Sequence, residues 1–434
     1  MTVRPTESTD LRLGALLSDF RLLLILFIAF RLMLVIVYQP VLLETAERGI
    51  TAGGDFLYYF QLGALSDDGL LPFRDWWSEF PPIPSFLITV VYSLQSTSDG
   101  GNYTGFAMFL GLIMLLFDLG NLILVRLIGA RVHGAATGIA LAWVYALLLA
   151  PTIFIWWNFE PMVAFFLLLG LWWLLRDRAI PSALAACVGA LIKFTPALIL
   201  GAVWRFREHN AALRYTVISL GGVALVYALL FAGNSAMTLP SLTAQFNKAS
   251  YQTVWALIDG NYRTGNFGPA VERLDPANAY VLTGNPSTVP GIVRLALAGA
   301  IGLFIFWRTR RFDDRGLVAF VTITLLIFFL QAQGWSPQWL AQIIPLVLLS
   351  FPTRNGIIAI VLLMLVTFAE YPFLFIRTGD TGGEITGALI MPFTILVVTR
   401  TLLLVGVTIA LYARLRQEPV PRQAAPASAA AAAD

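Results

Sequence analysis

The chain has 434 residues, of which 58% are hydrophobic and 12% charged, with a mean hydropathy of +0.78. A soluble globular protein carries roughly 25% charged residues, so the composition excludes a soluble domain and implies an integral membrane protein. The net charge of +3 gives no argument for nucleic acid, and none is expected as a partner. His133 and His209 are the only histidines and both fall in basic connectors, which excludes a histidine-ligated metal centre. The single cysteine, Cys187, leaves no internal disulfide. No metal and no cofactor are expected.

Residues 1–19 form a polar leader. The apolar run that starts at Phe20 is too long for a signal-peptide core and lacks a small-residue cleavage site, so it is expected to remain as an anchor. Apolar runs near the ~20 residues that cross a bilayer follow. The spans read as 20–43, 105–126, 134–153, 161–175, 180–204, 215–233, 291–307, 317–334, 339–351, 357–376 and 388–413. The leader and the connectors starting near Arg126, Arg176, Arg205, Arg308, Arg354 and Arg414 carry most of the 28 basic residues. Positive loops stay in the cytoplasm, so both termini are expected there, with the loops 44–104 and 234–290 outside. The fold class is an all-α polytopic membrane protein with roughly 11 to 13 transmembrane helices. It forms one domain, 20–413, in the plasma membrane. A Pro/Ala-rich tail, 414–434, is expected to be disordered.

Segment 180–204 has basic clusters on both sides and too few residues for two full passes at 1.5 Å each. The reading that satisfies both is two short helices meeting near Lys193-Phe194-Thr195-Pro196, broken by the proline. Backbone broken at membrane depth is tolerated only in protein or beside a cavity. Residues 83–95 are too short to span and read as a juxtamembrane helix.

The stretch GGDFLYYFQLGALSDDGLLPFRDWWSEFPP after the first span concentrates acids against one membrane face. Asp55 follows Gly53-Gly54. At the interface, partly dehydrated, its carboxylate gains basicity and suits a general base for an attacking hydroxyl. A solvated loop aspartate or helix N-cap is the alternative. Asp75 and Glu79 flank Trp76-Trp77, and stacked indoles with carboxylates suit a sugar. An interfacial aromatic belt would look the same. Asn158 and Glu160 add polar groups after the third span. Lys193 lies within an apolar segment, where a charge costs about 2.5–3.5 kcal/mol. It either neutralises a lipid-linked phosphate or snorkels to the interface. Lys248 and Arg263 belong to a loop rich in aromatics and glycines that is suited to gripping phosphate. QAQGWSPQWL, 331–340, offers Ser336 and Gln338 as uncharged hydrogen-bonding groups. Glu370 is a weaker addition. Arg31 and Asp118 share a depth and are expected to pair as a structural pin, whereas Arg400 has no assigned partner.

Together, GGDFLYY, PFRDWWSEFPP, ALIKFTPALIL and QGWSPQWLAQIIP, in this order and on one side, give a chain that resembles the type C (GT-C) membrane glycosyltransferases. It is most similar to glycosyltransferase family 87, the polyprenyl-phosphate-mannose-dependent mannosyltransferases. The resemblance implies inverting, metal-independent transfer of a sugar from a polyprenyl-phosphate donor to a lipid- or glycan-linked acceptor at the extracytoplasmic face. Asp55 takes the position of the base. The expected binding set is Tyr58, Asp75, Trp76, Glu79, Asn158, Glu160, Lys193, Lys248, Arg263, Ser336 and Gln338. The outer side has no histidine, so Lys193, Lys248 or Arg263 would meet the donor phosphate. A secondary transporter or a non-catalytic lipid-glycan-binding protein are the competing readings.

Overall fold

The computed structural model describes residues 13–38, 54–97, 100–148, 158–265, 268–374 and 383–418. The expectations for most of the leader, for the start of the 44–104 loop and for residues 419–434 of the tail therefore fall outside the described residues; residues 414–416, expected to be disordered, instead complete the Ile390–Arg416 helix. Within hydrocarbon a chain must satisfy its own backbone, and an α-helix does so within one segment. Among the described residues the fold is helical apart from isolated bridges and one two-residue antiparallel ladder, Ser96–Thr97 against Gly100–Gly101. Among the described residues, six helices are long and apolar enough to cross a membrane: Tyr103–His133, His209–Gly233, Gly291–Arg308, Asp314–Gln331, Arg354–Tyr371 and Gly387–Arg416. Shorter apolar helices lie between them, including Pro82–Gln95, the segment read as juxtamembrane.

The centre of the bundle is the Leu340–Ser350 helix, in which every residue is buried. Glu160–Leu175, Asp314–Gln331, Tyr103–His133 and Arg354–Phe368 pack around it. The periphery is apolar and open: Leu225 is 63% exposed, Leu229 67% and Ile292 73%. Such rows would be aggregation surfaces in water, and lipid is the solvent that suits them. Close approach is achieved with small residues. A Cβ on Gly138 would lie 2.6 Å from the backbone nitrogen of Ala130, so the Tyr103–His133 and Ala135–Leu147 helices touch backbone to backbone.

The segment 180–204 is broken where the basic flanks require it. The Ala179–Ile192 helix ends at Lys193, which is extended (φ −159°, ψ 141°). A 3₁₀ turn, Thr195–Leu198, then leads into Ile199–Phe206. Pro196 packs into the space left by Gly189, where a Cβ would approach the proline ring to 2.6 Å. The break therefore has a seat in the preceding helix.

Arg31 and Asp118 pair as expected, with Nε 3.0 Å from Oδ2 and both side chains fully buried. The Tyr145 hydroxyl donates to the other carboxylate oxygen at 2.6 Å, and Arg31 Nη1 donates to the Ala146 carbonyl at 2.8 Å. Removing one partner of a buried pair strands the other charge, at about 3–5 kcal/mol. Arg31→Met should therefore lower the melting temperature of the detergent-solubilised protein sharply, and adding Asp118→Leu should recover most of the loss. Equal losses in the single and double variants would show that the charges do not act as a pair.

Candidate active site

Asp55 is the second residue of the Gly54–Ala64 helix, where the helix dipole favours a carboxylate. Its side chain is half-buried, within the field of Lys193, Lys248, Glu160 and Glu79. Oδ2 accepts from Gln338 Nε2 at 3.3 Å, linking the first loop to the turn that opens the central helix. Burial raises the Asp55 carboxyl to about 6, although Lys193 and Lys248 pull it down; Glu160 and Glu79 push it further up. The group is thus mostly ionised at neutral pH and close to its titration range. That is the range in which a general base is effective.

The two lysines that act on Asp55 are held differently. Lys193, at the helix break, forms an ion pair with Glu160, and its ammonium sits 5.3 Å from the Trp339 ring centroid. The second Glu160 oxygen accepts from Gln342 Nε2, and Gln342 Oε1 accepts from Thr195 at 2.9 Å. Both sides of the break are therefore tied to one carboxylate. Lys248 follows the Pro240–Asn247 helix, 4.5 Å above the Tyr251 ring. Burial lowers its ammonium to about 7, with Arg273 and Arg263 acting in the same direction against Glu79 and Asp55.

Glu79 is buried, within electrostatic range of Asp55, and both its oxygens are engaged. The Tyr58 hydroxyl donates at 2.6 Å to one, and Arg273 Nε lies 3.3 Å from the other. Arg273 is itself completely buried and stacks 4.3 Å over Trp77. Arg273 is not among the expected site residues, because nothing local ties it to Glu79, 194 residues away. Glu79 and Tyr58 therefore anchor the floor of the site, with Tyr58 retaining some open surface.

Other expected residues lie elsewhere. Asp75 pairs with its neighbour Arg74 at 2.7 Å and accepts from the Leu71 backbone at 2.8 Å, closing its own turn. The adjacent opposite charges were the sequence signal for this. Trp76 is completely buried in the hydrophobic core, so it offers no face to a sugar. Asn158 is 1% exposed and accepts from the Glu160 backbone nitrogen at 2.9 Å, which positions Glu160. Ser336 hydrogen-bonds Tyr251. Arg263 pairs through its backbone with Glu384 and lies within electrostatic range of Lys248.

Three tyrosines not singled out in the sequence feel the charge of Asp55: Tyr59, Tyr251 and Tyr371. Tyr59 stacks on Phe159 at 4.4 Å. Tyr371 lies at a kink, with φ −144° and ψ 128° inside an otherwise helical turn. Arg400 pairs with Glu370, donates to the Gln252 carbonyl and lies 4.4 Å over Trp335. Gln252 has a positive φ of 53°. This buried clamp holds the strained residue next to Tyr251, which takes Glu370 out of the ligand-facing ring. Among the described residues, no three potential metal-ligating side chains cluster.

A sequence profile of glycosyltransferase family 87 matches residues 81–332, more than half of the chain. The chain belongs to glycosyltransferase family 87. Its all-α membrane fold is the one that the motif resemblance implies. No curated protein matches the sequence significantly. Solved structures similar to the family 87 chain include the Archaeoglobus fulgidus oligosaccharyltransferase in its apo form, at 12% identity and a TM-score of 0.42. That alignment covers 92% of this chain and 56% of the archaeal one, so the chain spans little more than half of that enzyme's length. ArnT from Cupriavidus metallidurans, solved with undecaprenyl phosphate, aligns at 15% identity and a TM-score of 0.39, covering 90% of this chain and 77% of ArnT.

Proposed function

We propose that this family 87 glycosyltransferase transfers a sugar, mannose in the first instance, from a polyprenyl-phosphate donor to an acceptor hydroxyl at the extracytoplasmic face. The observation that carries the reading is the position of Asp55: a carboxylate poised near 6, hydrogen-bonded to Gln338 and within the field of two lysines. In this mechanism Asp55 accepts the acceptor's proton as its hydroxyl oxygen attacks C1 of the donor sugar. The new C1–O bond forms as the bond from C1 to the phosphate oxygen breaks, with inversion. The departing phosphate carries the bonding pair and is met by Lys193 and Lys248. Fixed cations at the point where charge develops lower the barrier without reorganisation, and this is why no metal is required in the reading. The lysines come from two separate segments, after the Ala179–Ile192 and Pro240–Asn247 helices, which suits a phosphate held between helices with its prenyl chain in lipid.

The test is transfer in proteoliposomes from polyprenyl-phosphate [¹⁴C]mannose, against a nucleotide-activated mannose and the corresponding arabinose donor. The lipid donor alone is expected to label an acceptor, with the anomeric configuration inverted. Labelling only from the nucleotide sugar would overturn the donor assignment, and labelling only from the arabinose lipid would overturn the choice of sugar.

A further inference from the structure

At the far end of the central helix from Gln338 there is a second concentration of charge, unrelated to Asp55. The Leu340–Ser350 helix has 11 residues, which places Phe351 roughly 20 Å from Gln338 at 1.5 Å per residue. Around Phe351 four segments meet. His133 reaches the Leu349 carbonyl at 2.8 Å, and Arg315 Nε donates to the Val132 carbonyl at 3.4 Å. The Arg310 and Arg311 backbone nitrogens both donate to the Leu415 carbonyl. Arg414 lies 5.4 Å over the Phe351 ring, and its buried Nε has no hydrogen-bond partner. Arg311, Arg315 and Arg414 thus gather in one place, and the carboxylate among them, Asp313, is held by Arg311 at 2.9 Å. Positive charge is left over.

From this cluster an apolar groove of about 630 Å³ runs between the Arg354–Phe368 and Ile390–Arg416 helices. Phe351, Thr353, Gly356, Ala359, Leu402 and Gly406 line it. The small residues Gly356, Ala359 and Gly406 leave the space between the helices, and Leu402, 64% exposed, lies at its open side.

We infer that this end of the bundle holds an anionic phospholipid as a structural ligand, its phosphate on Arg414 and Arg315 and one acyl chain in the groove. Charge complementarity decides the occupant. A zwitterionic lipid gains little from surplus arginines, whereas an anionic headgroup is attracted by each cation near the surface. Basic pockets between transmembrane helices are general sites of this kind. The site is separate from donor binding, since none of its residues approaches Asp55.

The experiment is native mass spectrometry of the full chain released from nanodiscs of equal parts phosphatidylcholine and phosphatidylglycerol. Wild type should retain phosphatidylglycerol preferentially, and Arg315→Gln/Arg414→Gln should reduce that enrichment by about tenfold or more. Gly406→Leu should fill the groove and also lower retention; a Cβ at Gly406 meets nothing within 4 Å, so the fold accommodates it. Two results would overturn the inference. One is equal retention of both lipids by wild type. The other is displacement of the bound lipid by inorganic phosphate as effective as by soluble short-chain phosphatidylglycerol, which would reduce the site to a simple anion pocket. Glycosyl transfer measured in parallel separates this test from the catalytic proposal, because Asp55→Asn should leave lipid retention unchanged.

Discussion

Asp55→Asn should lose at least about a hundredfold in turnover, the lower end of what a general base contributes, while the donor still binds. The substitution keeps shape and the hydrogen bond from Gln338, so loss of the proton acceptor is the main change. Misfolding does not account for that loss, on physical grounds. Burial lifts the Asp55 carboxyl from 3.8 to about 6, so the folded state binds more protons than the unfolded state between those values. Stability therefore falls as pH rises through that window, and a neutral asparagine removes a cost at neutral pH. Turnover moves the opposite way. The base works only when ionised, so kcat/KM should rise through about pH 6. It should fall above about pH 7, where Lys248 loses its proton and its grip on phosphate. Lys248→Arg should keep the cation and extend activity to higher pH without shifting the acid limb. Near-wild-type transfer by Asp55→Asn, or an acid limb unmoved in position and size, would remove Asp55 from the mechanism.

The sequence made visible whatever depends on neighbours along the chain or on depth in the membrane. Basic flanks on both sides of 180–204 demanded a break, and Pro196 located it. Arg31 and Asp118 could be matched because two charges at similar depth in adjacent spans have few other ways to be satisfied. Asp55 stood out through its glycines and its place after an apolar run. Two of the failures share a cause, contacts across long sequence separations. Glu79 looked like a sugar ligand until Arg273 was found against it. Arg400 and Glu370 were each noticed, but 30 residues and a kinked helix separate them. Trp76 shows the limit of composition: adjacent tryptophans in an acidic loop suggest stacking platforms, yet one is core and the other is covered by an arginine. Only the fold decides which face of a side chain remains open.

Lys193→Met should do two separable kinds of damage. Glu160, with 4% of its side chain exposed, would lose its cation and keep only Gln342 as a partner. An unpaired buried carboxylate costs about 3–5 kcal/mol, enough to lower the melting temperature by several degrees. The double variant Lys193→Met/Glu160→Gln removes the stranded charge, keeps a side chain that can hydrogen-bond Gln342, and should regain most of the stability. It should not regain activity. If Lys193 meets the departing phosphate, the double variant remains impaired in kcat, with the deficit shrinking for donors whose leaving group is a weaker base and needs less neutralisation. If Lys193 serves only to pair Glu160 and seat the helix break, the double variant transfers sugar at close to the wild-type rate. The contrast between melting temperature and kcat in these two proteins thus decides whether the ammonium at the broken helix is part of the chemistry or part of the scaffold.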